Sequence, residues 1–199
     1  MVEQPFWERL NLPAPDSLTS LQGYCERPNT AIYMELVNGM VHYPNWGSSS
    51  ELLLPQHTHQ QIVFNVGEKL KRLNETKNGQ VLLHPFDLFI NPTTILQPDV
   101  AWLKARSACQ KQETYYQGAP ELLVEVISDS TARRDRTLKF RLYEQIMAQE
   151  YWIIDPRDLL VEAYSFREGR LQRMGGYEPG QRFASPVLQV DISVTALFR

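Results

Sequence analysis

Two acidic side chains interrupt apolar, strand-like segments of the 199-residue chain. Asp99 directly precedes the apolar run that starts at Val100, and Glu125 is the single charged residue within residues 122–127. An isolated buried carboxylate is costly, so each acid must be paired, bind a metal ion or reach water. A structural ion pair, or a place on a solvent-facing edge strand, is the plain alternative for Glu125.

A lysine falls on the apolar side of the helix that is predicted to follow Glu125. At about 100° per residue, Leu142 and Ile146 lie within about 60° of Lys139 around the helix axis. A lysine directed into a core needs an anionic partner or a short route to water. Glu125 and Asp99 supply such a partner. The alternative is that the side chain of Lys139 extends past Tyr143 to water and needs no anionic partner.

Two carboxylates and a lysine at one place form a recognisable chemical unit. Carboxylates bind Mg²⁺ through hard oxygen atoms, and waters and substrate phosphates complete its coordination. A bound metal ion polarises a phosphodiester and activates water, and an ammonium group stabilises charge that develops on the phosphate. These residue types therefore favour hydrolysis of phosphodiester bonds.

The elements that would position this unit follow from periodicity and turn signals. Residues 1–30 are predicted to form an irregular N-terminal arm with a short helix at 6–10, and residues 31–199 a single domain. An Asn38-Gly39 turn predicts a β-hairpin between residues 31–37 and 40–43. Two main helices are expected at 55–74 and 131–148, and residues 105–119 are expected to be a loop. The remaining predicted strands cover residues 80–84, 87–90, 98–103, 121–127, 151–154, 160–166 and 170–174. This order indicates an α/β fold that borders on α+β, with one mixed sheet.

Several short motifs occur together along the chain. They are Pro98-Asp99, Leu123-Val124-Glu125-Val126-Ile127-Ser128, Arg134-Asp135-Arg136 with Lys139 and Tyr143, and Tyr151-Trp152-Ile153-Ile154-Asp155-Pro156. As a set they resemble the Uma-two family of endonucleases, which belongs to the restriction-endonuclease-like, PD-(D/E)XK superfamily. The Glu35-Leu36-Val37-Asn38-Gly39 hairpin and the helix with His59 resemble the same family. The resemblance covers about residues 30–165.

The resemblance implies a restriction-endonuclease-like core, a mixed sheet flanked by two main helices with an N-terminal hairpin. Asp99 then corresponds to the metal-binding aspartate and Glu125 to the first acid of the D/E-X-K element. Ile127 stands where that element has its lysine, so Lys139 is implied to supply the missing group. Asp99, Glu125 and Lys139 are thus the expected catalytic residues, with Asp99 and Glu125 binding Mg²⁺, or Mn²⁺ as a substitute.

Two further residues are auxiliary candidates. His59 lies on the apolar face of the first main helix, near the place where the superfamily often has another acid. A histidine satisfied within the core is the favoured alternative for it. Glu35 is a weaker candidate for an auxiliary ligand, and its alternative is an ordinary hairpin carboxylate.

Basic residues gather at the start of the second main helix. Arg133, Arg134 and Arg136, together with Tyr143, are the candidates for contacts with a nucleic-acid substrate. The alternative is a solvated helix face whose charges pair locally.

Composition limits the remaining classes. The net charge of −3 and 43% hydrophobic residues, with a pI near 5.8, argue against a polybasic binder and against wholesale disorder. No apolar run is long enough to span a membrane, and no secretory signal is evident, which predicts a cytoplasmic protein. Cys25 and Cys109 are expected to be unpaired thiols.

The leading hypothesis is a Mg²⁺-dependent endonuclease that acts on DNA rather than RNA, and a homodimer is expected by analogy. The alternative is a catalytically impaired nucleic-acid-binding or protein-interaction module on the same fold. A two-carboxylate glycosidase ranks below both, because it leaves Lys139 unexplained.

Overall fold

A computed structural model describes residues 13–14, 17–27, 33–43, 57–128 and 131–199, with the backbone alone at 75–76. Within these residues the α-helices are Leu21–Cys25 (α1) and His57–Lys77 (α2), followed by a composite helix, α3. Helix α3 is α-helical over Ala132–Arg134, π-helical over Asp135–Lys139 and α-helical again over Phe140–Gln145. A 3₁₀ turn, Val194–Ala196, lies near the C-terminus.

The strands of the described residues run in chain order as follows: Glu35–Val37 (β1), Met40–His42 (β2), Gln80–Leu83 (β3), Leu88–Asn91 (β4), Thr94–Leu96 (β5), Val100–Leu103 (β6), Gln110–Lys111 (β7), Tyr116–Gln117 (β8), Leu122–Val126 (β9), Glu150–Asp155 (β10), Leu160–Arg167 (β11), Arg170–Tyr177 (β12), Arg182–Ser185 (β13) and Val190–Ser193 (β14). They form a six-stranded main sheet in the order β12-β11-β10-β9-β6-β3. The N-terminal sheet has the order β2-β1-β5-β4-β8-β7, and β13 pairs with β14.

The main sheet is mixed, because β9 and β10 are parallel while its other pairs are antiparallel. Helix α2 covers one face, where its Ile62 and Leu70 belong to the same buried cluster as Val124. An amphipathic helix gains most of its stability from this kind of burial. The predicted period of α2 and its inward face are therefore confirmed.

The opposite face of the main sheet packs against α3 and the N-terminal sheet. Leu123 and Ile153 of the central strands share a cluster there with Leu142 of α3 and Leu88 of β4. Since side chains alternate between the two faces of a strand, Glu125 lies on the same face as Leu123. This acid therefore points toward α3 and not toward α2.

The register of β6 and β9 brings the two predicted acids together. These strands are antiparallel and pair Val100 with Val124. Asp99 precedes Val100, and Glu125 follows Val124, so both acids lie at the same end of the strand pair. The backbone N–H of Val126 donates to Asp99 Oδ2 at 2.8 Å, which fixes the aspartate at this end.

The predicted hairpin is present, since β1 and β2 pair around Asn38 and Gly39. Both turn residues have positive φ, 52° and 79°, as a two-residue hairpin turn that follows the twist of its strands requires. The α/β fold class is confirmed, and Cys25 and Cys109 are both free.

Several local predictions were wrong. One mixed sheet was expected, but β1, β2, β4 and β5 form a second sheet with β7 and β8. Strand β5 and helix α1 were not predicted, and β7 and β8 lie inside residues 105–119, which were expected to be a loop. Strands of two or three residues depend on distant pairing partners, so local periodicity does not reveal them. The predicted helix at 6–10 lies outside the described residues.

Candidate active site

The ammonium group of Lys139 lies at the centre of a buried polar cluster between α3 and the main sheet. Only 2% of the lysine is exposed. Its Nζ donates to Glu125 Oε1 at 2.8 Å and to the Tyr33 hydroxyl at 3.1 Å. Two further carboxylate oxygens, Glu35 Oε1 and Asp135 Oδ1, lie 3.2 Å and 3.6 Å from Nζ. Lys139 is therefore directed inward, as its helix position predicted.

The side chains of a lysine and a tyrosine hold the carboxylate of Glu125, which lies in β9. Its Oε1 accepts from Lys139 and, at 2.5 Å, from the hydroxyl of Tyr143. Burial, followed by repulsion from Asp135 and Asp99, holds the pKa of this carboxyl well above its ordinary value, although Lys139 opposes the shift. Among the described residues, no donor lies on Oε2.

Asp99 is anchored through one of its two oxygens. Oδ2 accepts from the Val126 N–H and lies 3.2 Å from His59 Nε2. Burial would raise the pKa of Asp99, but the hydrogen bond and charge of His59 hold it below the ordinary value. Burial likewise works against a protonated His59, while Asp99 raises the pKa of the imidazole. His59 therefore supports Asp99 from α2, and no described donor occupies Asp99 Oδ1.

Glu35 reaches the cluster from β1, in the N-terminal sheet. The Gln97 N–H donates to its Oε1 at 2.9 Å, and Arg134 Nη2 lies 2.5 Å from its Oε2. Burial would raise the pKa of this fully buried carboxyl, but Lys139 and then Arg134 lower it. Glu35 thus has a hydrogen-bond donor on Oε1 and the cationic guanidinium of Arg134 beside Oε2.

Asp135 is a fourth buried acid of the site, and it was not among the predicted site residues. It lies in the π turn of α3 with 2% of its surface exposed. No hydrogen-bond donor reaches its buried Oδ1, and burial raises the pKa of its carboxyl. The available signal was spacing, since residues four apart share one helix face and Asp135 stands four before Lys139.

The predicted substrate contacts do not form one group. Arg133 is exposed, whereas Arg134 pairs with Glu35. Arg136 bonds to Asp155 and Glu162 of the main sheet at 3.1 Å and 2.8 Å.

Tyr143 was also predicted to contact the substrate, but it is fully buried and its hydroxyl is directed at Glu125. Tyr33, which lies just before β1, and His84, which follows β3, were not among the predicted site residues. The rings of Tyr33 and His84 meet edge to face at 4.7 Å between centroids.

The cluster has the donor chemistry that a hard divalent cation needs. Within the described part of the chain, no three His, Cys, Asp or Glu side chains form a ready set of ligands. Mg²⁺, however, usually keeps several waters and takes only one or two protein carboxylates. Asp99 and Glu125 fit this requirement, because they lie at one end of neighbouring strands and each has an oxygen without a described donor.

The fold and this cluster place the protein among nuclease-like folds with a restriction-endonuclease-like core. Residues 51–196 match the family model Uma2, described as "Putative restriction endonuclease". The chain belongs to the Uma2 family.

A solved structure has a similar fold. It is described as a putative nuclease belonging to DUF820 from Anabaena variabilis ATCC 29413, with a TM-score of 0.71 and 17% sequence identity. The match covers 90% of this chain and 97% of that chain. No protein of curated function matches the sequence. Among the described helices, none combines the length and the hydropathy that a membrane span requires.

Proposed function

We propose that this protein is a Mg²⁺-dependent nuclease that hydrolyses phosphodiester bonds, in DNA rather than RNA. One observation carries the proposal: two buried acids, Asp99 and Glu125, lie at the same end of neighbouring strands beside the buried ammonium of Lys139. Membership in the Uma2 family and the similarity to a structure described as a nuclease support the same conclusion.

The charge balance of the cluster favours an additional cation. Four carboxylates, those of Glu35, Asp99, Glu125 and Asp135, are each at least 95% buried, as is the single ammonium of Lys139. The guanidinium of Arg134 offsets one more negative charge. Buried carboxylates without enough counter-charge hold protons more tightly, which is the direction of the pKa shifts of Glu125 and Asp135.

Asp99 and Glu125 would hold the metal ion, and His59 and Tyr143 would orient these two ligands. The bound ion would polarise the phosphodiester and lower the pKa of a coordinated water. Enzymes with restriction-endonuclease-like cores generally use divalent metals. Mn²⁺ is a suitable substitute because it accepts the same oxygen ligands.

The residues of the chain supply the remaining tasks. The ammonium of Lys139 donates hydrogen bonds and would stabilise the negative charge that develops on the phosphate during attack. Lys139 thereby replaces the lysine that the D/E-X-K element lacks at Ile127. Arg133, the exposed arginine at the start of α3, remains our candidate for a phosphate contact, because Arg134 and Arg136 are engaged in ion pairs.

A non-catalytic module on the same fold is the second candidate. The contact between Lys139 and Glu125 at 2.8 Å favours it, because an internal ammonium already neutralises part of the site. The two candidates differ in metal binding. Calorimetry with Mn²⁺ should detect binding to a nuclease and none to the inactive module.

Supercoiled plasmid DNA provides the test of activity. The purified protein should nick the plasmid with Mg²⁺ or Mn²⁺, and Asp99→Ala and Glu125→Ala should each lower the rate by about 100- to 1000-fold. Glu121→Ala is the matched control, because Glu121 is an equally buried acid whose partners are Lys104 and Ser107. Nicking that survives both Asp99→Ala and Glu125→Ala would contradict the proposal.

The remaining details are expectations with simple measurements. Labelled DNA and RNA of the same sequence, incubated with the protein and Mn²⁺, should show faster cleavage of the DNA. A homodimer is expected because two active sites can cut the two strands of a duplex. Light scattering measures the mass of the assembly. The expected cytoplasmic location can be tested by fractionation of the native cell.

A further inference from the structure

We propose that Glu35 and Tyr33 are positioning residues for Lys139: they hold its ammonium group beside Glu125, and neither binds the metal ion. This inference rests on the proposed nuclease function for its catalytic meaning. It assigns a specific task to the N-terminal sheet, which lies outside the strands that carry Asp99 and Glu125.

The geometry around the ammonium supports this assignment. A lysine ammonium has three N–H donors and no acceptor. Three acceptors lie within 3.2 Å of Nζ: Glu125 Oε1 at 2.8 Å, the Tyr33 oxygen at 3.1 Å and Glu35 Oε1 at 3.2 Å. The metal-site acid is one of the three, and the other two come from the start of the N-terminal sheet. The ammonium therefore makes hydrogen bonds to Glu125 and Tyr33 and an ion pair with Glu35.

Glu35 is a poor candidate for a metal ligand because its oxygens are already engaged. Oε1 accepts from the Gln97 N–H at 2.9 Å, and Oε2 pairs with Arg134 at 2.5 Å. Metal binding through Glu35 would have to displace one of these partners in a site where 0% of the residue is exposed. Asp99 and Glu125 differ, since their described ion-pair partners are His59 and Lys139 and no described arginine pairs with either acid.

Tyr33 is fixed so that its oxygen can accept from the lysine. Its hydroxyl lies 2.7 Å from the Gln97 carbonyl oxygen and 3.1 Å from Glu35 Oε1. The single hydroxyl proton serves one of these acceptors, and a lone pair then faces Lys139 Nζ. Burial also raises the pKa of Tyr33 well above its ordinary value, so the hydroxyl keeps its proton.

The displaced position of the lysine explains why such a support is needed. Lys139 projects from a helix on a flexible four-carbon side chain, and a free lysine side chain has many rotamers. A lysine on β9 itself would start close to the neighbouring acid. A lysine that crosses from α3 must be held from the far side, and the N-terminal sheet is the element that lies there.

The experiment compares Glu35→Gln and Tyr33→Phe with Glu121→Gln. Glu121 is a matched control, since it is a buried glutamate that also pairs with a lysine, Lys104, at 3.3 Å. For each variant the melting temperature, the dissociation constant for Mn²⁺ by calorimetry, and the rate of plasmid nicking at saturating Mn²⁺ are measured. Reductive methylation of the metal-free protein, followed by mass spectrometry, measures how fast Lys139 is labelled.

A positioning role predicts a split between these measurements. Glu35→Gln and Tyr33→Phe should each lower the nicking rate by about 100-fold, because misplacement of a reacting group by about 1 Å has an effect of this size. Their affinity for Mn²⁺ should stay within about twofold of wild type, and Lys139 should be labelled faster. Glu121→Gln should change neither the nicking rate nor the labelling of Lys139.

Three results would overturn the inference. A Glu35→Gln variant that loses Mn²⁺ binding as severely as Glu125→Ala would make Glu35 a metal ligand. Wild-type nicking rates in both Glu35→Gln and Tyr33→Phe would show that neither residue matters for the lysine. Unchanged labelling of Lys139 in both variants would show that they do not hold it. A wild-type protein that neither binds Mn²⁺ nor nicks DNA refutes the proposed function instead, and the labelling still decides whether Glu35 and Tyr33 hold Lys139.

Discussion

Glu125 and Glu150 are both buried glutamates on neighbouring strands of the main sheet, yet their surroundings differ. Glu150 accepts from three neutral donors: the indole of Trp152 at 2.6 Å, the hydroxyl of Ser185 at 2.7 Å and the Val187 N–H at 3.1 Å. Both of its oxygens are satisfied. Glu125 has a cation and a phenol on one oxygen, and burial, together with two nearby acids, raises the pKa of its carboxyl.

The difference distinguishes a structural acid from a candidate functional acid. Neutral donors that surround a carboxylate fix it in place and link the elements that supply them. Glu150 in this way joins β10 to the β13–β14 hairpin through Ser185. A carboxylate that keeps a free oxygen among other acids is poorly stabilised by its protein surroundings, and it gains most from an external cation.

The largest expected effect on stability is that of Glu150→Ala. The change leaves the buried donors of Trp152 and Ser185 without an acceptor, and each unsatisfied group costs about 1–3 kcal/mol. We expect the free energy of unfolding, measured in urea, to fall by about 3 kcal/mol. The nicking rate of the folded variant should remain near wild type. A variant that is as stable as wild type but inactive would reverse the distinction drawn between the two glutamates.

A smaller effect is expected for Tyr143→Phe, which removes one donor from Glu125 without emptying space. Partners that orient metal ligands typically contribute 10- to 100-fold to affinity or activity. We expect Mn²⁺ affinity and the nicking rate to fall by about tenfold, with the KM for DNA unchanged. A higher KM with normal Mn²⁺ affinity would instead support the direct substrate contact that the sequence suggested for Tyr143.

The smallest expected effect is a pH dependence that arises from Glu150. Burial raises the pKa of its carboxyl above the ordinary 4.5, although hydrogen bonds from Ser185 and Trp152 oppose the shift. An acid with a raised folded-state pKa contributes stability that is complete below its unfolded pKa and is lost as pH rises through the folded value. Wild type should therefore lose stability relative to Glu150→Gln as pH rises above 4.5. Urea unfolding of both proteins at a series of pH values measures this loss of stability. Parallel curves of stability against pH would contradict a raised pKa of Glu150.

The central acids and the lysine were accessible to sequence analysis because they obey local rules. The continuously apolar context of residues 122–127 singled out Glu125, and helical periodicity directed Lys139 inward. The same periodicity could have identified Asp135, four residues before Lys139, had every charge on that helix face been considered.

The remainder of the site depends on contacts that no local pattern encodes. Glu35 and Tyr33 reach Lys139 only because the N-terminal sheet packs against the face of the main sheet that carries Glu125. Arg134 was expected to bind substrate, yet it pairs with Glu35, which lies about a hundred positions earlier in the chain. Tertiary packing decides such pairings, and no alternation or helical period reports on it.

The π-helical turn at Asp135–Lys139 decides which side chains of α3 face Lys139 and Glu35. A π turn has one residue more than an α turn, so it changes the angular phase of the helix by about 100°. Deleting one residue there would rotate the segment before it by that angle relative to Tyr143. The sheets, the composition and nearly all of the core would be unchanged, while Asp135 and Arg134 would turn away from Lys139 and Glu35. A single-codon deletion is therefore a short evolutionary path to a site that keeps Asp99, Glu125 and Lys139 but loses the contacts of Asp135 and Arg134.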